Sequence, residues 1–282
     1  MGIRVNTNVG SLNAQRHLYN STMGFQKSME RLSSGLRINR SGDDAAGLAI
    51  SESLKSDIRA LQQASRNAAD GVSLVQVAEG SLDEVNNILL RLRELAEQAA
   101  TETLGSEERG YLDSEFQELL DEIDRISTTA EFNGIMLLDG TMGTLNVQVG
   151  IGTDPTTAAV PIDLTQAMSA SDLNLPSDGS VTLTGTDGGN ALSAMSLVMD
   201  ATAIVSSARA GFGAAQNRLE TSIRNISMTA ENLSAANSRI RDVDIALETS
   251  NMTSLQILQQ AGVSILSQAN MTSQLALNLL QG

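Results

Sequence analysis

Reactive side chains are scarce in this 282-residue chain, and their spacing limits the chemistry open to it. It has no cysteine and a single histidine, His17. Disulfides, thiolate nucleophiles and zinc fingers are thereby removed, and a Ser-His-Asp triad finds little support. A lone histidine without a ligand cluster reads as a surface or seam residue. The densest carboxylate run is Glu115, Glu118, Asp121, Glu122 and Asp124. Paired carboxylates can do acid–base work, but this spacing reads as the solvated face of a helix over 107–129. Asp43-Asp44 and Asp242-Val243-Asp244 lack the spaced oxygen ligands of a calcium loop and read as caps and joint residues. No catalytic, metal or cofactor site emerges, so the chain is expected to be neither an enzyme nor a cofactor carrier.

Composition narrows the class further. Lys and Arg number 18 against 33 Asp and Glu, a formal charge of −15. A general nucleic-acid binder would need a basic face to neutralise phosphates. Residues 1–42 nevertheless carry a net +5, residues 43–236 a net −19, and no charged side chain follows Glu248. Gln, Asn, Ser and Thr interrupt that charge-free tail too often for a membrane span, so protein contact is the better reading. No stretch approaches the roughly 20 consecutive apolar residues of a membrane helix. The opening MGIRVNTNVGSLNAQ has no apolar core of a signal peptide, so any export must use another route. Aromatics make up 2% of the chain while apolar residues reach 41%, a mixture suited to long helices side by side.

The elements that would position these residues follow from periodicity. The three prolines, Pro155, Pro161 and Pro176, share one window, so long helices are permitted on both sides of it. Leu54, Leu61, Ala68, Val75, Leu82, Leu89 and Ala96 recur every seven residues. A companion stripe passes to Ala78, Val85, Leu92 and Ala99, as when a nearly straight helix outruns a 3.5-residue repeat. A helix from 44 to 101 would be roughly 85 Å long at 1.5 Å per residue and must have partner helices. Leu112, Phe116, Leu119, Ile123 and Ile126 predict a second helix folding back on it. A third is predicted over 192–240, with Leu192, Met195, Met199, Thr202, Val205, Ala208 and Phe212 on its inner stripe. Beyond Leu247 the register shifts to Leu255, Leu258, Gly262, Ile265 and Ala269. Near the start, Leu18, Phe25, Met29, Leu32 and Leu36 share a face. The two ends therefore read as amphipathic partners, loose in the free monomer and ordered by packing on other copies. Phe132-Asn133-Gly134 opens a hairpin, and Thr144–Val149, Val160–Leu164 and Val181–Thr184 read as strands. The expected fold is mainly α: a long antiparallel bundle with a small β-hairpin region.

Several segments resemble the bacterial flagellins: Ile3-Arg4-Val5-Asn6-Thr7-Asn8, Asn13-Ala14, Glu30-Arg31-Leu32-Ser33-Ser34-Gly35-Leu36-Arg37-Ile38-Asn39, Asp43-Asp44-Ala45-Ala46-Gly47, Arg93-Glu94-Leu95-Ala96, Phe132-Asn133-Gly134, Asp242-Val243-Asp244 and Leu279-Leu280-Gln281-Gly282. They run in the family's order over both arms. The resemblance implies that 1–42 and 237–282 form an inner coiled-coil layer. It implies that 43–140 and 190–236 form an outer helical rod, and that 141–189 is a short variable segment in place of large outer domains. It further implies a homo-oligomer of many copies in a hollow helical filament for swimming. Such a filament is extracellular and is exported unfolded by the flagellar type III apparatus without a cleaved signal peptide. Cap, hook-associated proteins and an export chaperone are the implied partners. The expected subunit-packing residues are Leu18, Phe25, Met29, Leu32, Leu36, Leu255, Leu258, Ile265, Leu275 and Leu279. Arg91, Leu95 and Glu115 match positions through which the family engages Toll-like receptor five, with Leu90 standing where many recognised flagellins have Gln. The rival within the superfamily is the hook–filament junction protein, which shares similar ends.

Overall fold

In the computed structural model the backbone is described for residues 7–185 and 188–281, and side chains through Met271. The chain runs α1 (Val9–Ser34), α2 (Ala45–Ala99), α3 (Ser106–Thr129), β1 (Glu131–Phe132), β2 (Ile135–Met136), β3 (Gly143–Gln148), the single turn α4 (Pro155–Ala158), β4 (Ala159–Leu164), α5 (Gly189–Arg241) and α6 (Ile245–Gln281). Packing divides it into two units. One holds the chain ends, through Ser56 and from Asn232; the other is Asp57–Glu231. The division falls inside α2 and α5, so both helices run through it.

The Asp57–Glu231 unit holds the main core. On α2 the residues repeating every seven, from Leu61 to Ala96, are buried, and so are Ala78, Val85, Leu92 and Ala99 of the companion stripe. The drift of the apolar seam around a nearly straight helix is thus seen directly. On α3, Phe116 and Ile123 are fully buried, together with Leu120 on the same face. The inner line of α5 differs from expectation at its start. Ala191, Ala194, Val198 and Ala201 turn inward, whereas Leu192 and Met199 are 53% and 48% exposed. The small residues let α5 approach its neighbours closely, and a leucine or methionine there would force the helix out. One window of α5 is long and apolar enough to cross a membrane. Its inward line lies in this core instead.

The segment between α3 and α5 is more deeply built in than its composition suggests. β1 and β2 form a hairpin whose Asn133-Gly134 turn has positive φ at both residues, 51° and 78°. That is the conformation a two-residue hairpin requires and the reason for the Asn-Gly pair. β3 pairs antiparallel with β4, from Gly143↔Leu164 to Gln148↔Ala159. Pro161 is tolerated because a two-stranded ribbon has only edges. Residues 181–184 are not a strand. Val181 and Leu183 are buried in the alternating way read from the sequence, but their backbone is held by side chains of α3 rather than by another strand. Gln117 donates to the Val181 carbonyl at 2.7 Å, and the Leu183 N–H donates to Asp113 at 2.6 Å. Asp124 accepts from Ala170 N–H at 2.7 Å and from the Ser177 hydroxyl at 3.0 Å. Residues 113, 117 and 124 share one helix face and pin the irregular segment. The acidic run is therefore not uniformly solvated: Glu118 and Asp121 are exposed, but Asp124 is a structural acceptor.

Candidate assembly surface

In the unit of the chain ends, α1 packs antiparallel on α6. Asn8 caps α1 by accepting from Ser11 N–H, and Gly35 ends it with φ 72°. Its buried residues are Ser11, Ala14 and Ser28, all small. Leu18 lies against Gly262 and Leu255 against Gly24, so large residues meet glycines across the seam. Phe25 and Leu32 are half-buried at the same spacing.

Other apolar residues of this unit remain open. Leu12, Tyr19, Met23 and Met29 on α1, and Ile257, Leu258, Val263, Ile265 and Met271 on α6, are each more than half exposed. Of the packing residues expected from the sequence, Leu18, Phe25, Leu32 and Leu255 thus take the half-buried spacing of the α1–α6 seam. Met29, Leu258 and Ile265 face outward. Leu36 lies in the joint described next, and the side chains of Leu275 and Leu279 lie outside the described residues. The small and polar seam residues Ser11, Ala14, Thr22 and Ser28 escaped a reading that looked only for large apolar stripes. Ser11 stands one heptad before Leu18, and Ala14 and Ser28 stand two heptads apart, which was the available signal; Thr22 lies off that spacing.

Where the chain leaves α1 and where it passes from α5 to α6, the two breaks clasp each other. Leu36 bridges Asp242, Arg37 N–H donates to the Arg241 carbonyl at 2.6 Å, and Val243 N–H donates to the Gly35 carbonyl at 3.0 Å. The carboxylates singled out in the sequence act as caps. Asp44 accepts from Gly47 N–H at 2.9 Å, and Asp244 accepts from Ala246 and Leu247 N–H. Asp43 accepts from Asn39 and Arg40 N–H and pairs with Lys27 at 2.6 Å. The Lys27 ammonium, helped by those two N–H groups, lowers its carboxyl from 3.8 to about 2. Since the folded value lies below the unfolded one, this latch contributes fully above the ordinary carboxylate range. Its contribution is lost as pH falls from about 4 toward 2.

His17 is exposed on α1. On α2, Arg91 donates to Glu115 of α3 at 2.7 and 2.9 Å and pairs with Glu94 at 3.1 Å. Both Arg91 and Glu115 stay nearly half exposed, and neighbouring Leu90 is 47% exposed. Leu95 is fully buried, so it supports this surface from beneath instead of presenting a side chain to a partner. At the far end of α2, fully buried Arg109 donates to the carbonyls of Ala99, Thr101 and Gly185 at 2.9, 3.2 and 2.8 Å.

Long helices with apolar faces left open at both chain ends define the class of helical subunits that complete their packing with further protein. Comparisons with known proteins make the class specific. The family model for the bacterial flagellin N-terminal helical region matches residues 5–143, and that for the C-terminal helical region matches 195–280. A flagellin of Halalkalibacterium halodurans is 47% identical over 278 residues, covering 98% of this chain and 99% of the relative. The flagellin of Bacillus subtilis is 43% identical over 310 residues, covering 99% and 100%. The crystal structure of Bacillus cereus flagellin is 30% identical and covers 61% of this chain and 94% of that one, with a TM-score of 0.49. The chain belongs to the bacterial flagellins, the structural subunits of the flagellar filament, as a short form with about fifty residues between its two matched regions. Nothing in these matches favours the hook–filament junction protein.

Proposed function

We propose that the open apolar faces of α1 and α6 are the contacts by which copies of this chain stack into the filament. The observation that carries the reading is the group of half-exposed or more exposed leucines, isoleucines and methionines on both terminal helices, on α6 beside a surface with no charge after Glu248. Burying such area is favourable by about 25 cal/mol per Å², and contacts between unlike faces extend as an open helix instead of closing. Residues 1–42 and 237–282 then form the inner layer of a thin, smooth filament, and 43–140 with 190–236 form its outer rod. The 141–189 segment between them is too short for large outer domains. The α1–α6 pair fully buries mainly small residues, so other copies complete it. The chain acts outside the cell as a structural element and not as a catalyst. It leaves through the flagellar export apparatus unfolded, in contact with chaperone, cap and hook-associated proteins. In seeded assembly, the purified chain is expected to grow micrometre-long filaments and the Leu258→Asp, Ile265→Asp double variant none. Normal filaments from the variant would remove these faces from the contact, and rings from the native chain would favour the hook–filament junction reading.

Arg91 and Glu115, with Leu95 beneath them, are further proposed as the recognition surface for Toll-like receptor five. The support is family resemblance and an exposed, mutually held ion pair. Exposed Leu90 replaces an amide there and weakens a polar contact. Monomer binding to the receptor ectodomain is expected to fall about tenfold or more on Arg91→Ala, as when one partner of a charge pair is removed from an interface. Equal binding by both proteins would sink the assignment.

A further inference from the structure

The Asn133-Gly134 turn carries a latent reaction. A deprotonated backbone amide that follows an asparagine can attack the asparagine's side-chain carbonyl carbon. A glycine in the second position removes the side chain that would crowd this approach. Asn133 is the one asparagine of the chain followed by glycine. Both residues are exposed, and a Cβ built on Gly134 meets nothing within 4 Å, so water and base reach the site. Among the described residues no hydrogen bond holds the Asn133 carboxamide. Sequence and exposure thus mark a site of spontaneous deamidation.

The folded backbone opposes it. Pairing of Phe132 with Ile135 leaves a two-residue loop, with φ of 51° at Asn133 and 78° at Gly134. This is the mirror image of a type I turn, whose first central residue has ψ of about +30°. Ring closure needs the following nitrogen on the same side of the Cα–C bond as Cβ. At this ψ the two stand nearly opposite each other, so the Gly134 nitrogen is turned away from the Asn133 side chain. Rotating ψ to the reactive value would break the turn. The hairpin resists that rotation because Phe132 and Ile135 pack on the main core, and just beyond them Leu137 N–H donates to the Ala130 carbonyl at 2.9 Å.

We infer that Asn133 is a deamidation site that folding of the hairpin locks. In the unfolded chain a base takes the Gly134 amide proton, and the nitrogen bonds to Cγ of Asn133. The bond from Cγ to the carboxamide nitrogen breaks, and that nitrogen takes back the proton and leaves as ammonia. Water then opens the cyclic imide at either carbonyl. One opening gives aspartate at position 133, and the other an isoaspartyl link that routes the backbone through the side chain. Asp-Gly takes the same turn, so aspartate is accommodated. The isoaspartyl link adds a backbone carbon to a loop that closes with two residues, so the Phe132↔Ile135 register is lost. Under the export reading proposed above, the time spent unfolded is the interval in which the site is open. The chemistry itself is independent of that reading.

The full chain is aged in mildly alkaline buffer, native and in urea. Peptide mass spectrometry follows amide-to-acid exchange at residue 133, and isoaspartyl methyltransferase labelling counts the second product. Asn133 is expected to react at least about tenfold faster in urea than in the native chain, the ratio reporting how rarely the hairpin opens. Equal rates would overturn the lock, and a rate in urea no higher than that of the other asparagines would overturn the site. A glycine inserted between Phe132 and Asn133 lengthens the loop and frees ψ, at a small cost for an exposed turn. Its native rate is expected to rise at least about threefold over that of the unaltered chain. An unmoved rate in a folded insertion variant would also overturn the lock. Phe132→Ala, which loosens the hairpin without altering its loop, serves if the insertion fails to fold, and an unchanged rate there likewise counts against it. Returned to native buffer, the isoaspartyl chain is expected to melt below Asn133→Asp. Equal melting would overturn the claim that the link breaks the hairpin. None of these readouts involves assembly or export, so their failure leaves the proposed filament function standing.

Discussion

A chain ending at Thr249 is expected to form no filaments under conditions in which the full chain does, while its Asp57–Glu231 unit unfolds as before. The cut removes nearly all of α6, and with it the seam that faces α1 and the exposed Ile257, Leu258, Val263, Ile265 and Met271. Helix α1 then has no partner along its buried line, and a single short amphipathic helix is marginal in water. The core running from Ala68 to Leu219 lies wholly outside the deleted segment, so its burial and hydrogen bonds are untouched. Electron microscopy of seeded reactions and thermal unfolding by circular dichroism check the two halves. Filaments of normal length from the truncated chain would show that α6 is dispensable. Loss of the main transition would show that the core is not self-sufficient.

Arg109→Ala is expected to be the most damaging single substitution in the Asp57–Glu231 unit, at about 3–5 kcal/mol. The guanidinium is 1% exposed and has no carboxylate beside it among its hydrogen-bond partners. It spends its donors on three carbonyls, among them that of Ala99 at the end of α2, where the helix dipole favours a cation. Alanine would leave these carbonyls buried without donors, together with a cavity. For a unit of this size the loss corresponds to a fall in Tm of roughly 10 °C. Arg109→Lys is expected to recover less than half of it, because one ammonium cannot span carbonyls served by a planar fork. A melting temperature unchanged in Arg109→Ala would mean that water reaches the site and replaces the fork.

Long periodic elements were legible in the sequence because a buried helix face leaves a repeat over many turns. Leu61 to Ala96 on α2 and Phe116 with Ile123 on α3 were read and are buried. Asn133-Gly134 was legible because few residue pairs adopt that turn cheaply. Less visible were features made by distant partners. Asp124 was read within a solvated acidic face, but it accepts from Ala170 N–H 46 positions away, and Asp113, which no motif singled out, accepts from Leu183 N–H 70 positions away. Arg109 was not singled out at all, since nothing local reveals that its fork reaches Gly185. The inner line of α5 was misplaced at its start because large apolar residues dominate a periodicity reading, while close packing there chose alanines.

The sequence by itself determined the helical class, the break around the prolines, the acidic middle and neutral tail, and the capping roles of Asp43, Asp44 and Asp244. Each of these depends on residues within a few turns of one another. Tertiary structure alone decided which apolar faces of α1 and α6 meet and which stay open, since heptad lines carry no label for their partner. The contacts that join those faces, such as Ser28 with Glu248, link residues 220 positions apart in the chain and exist only once the helices lie side by side.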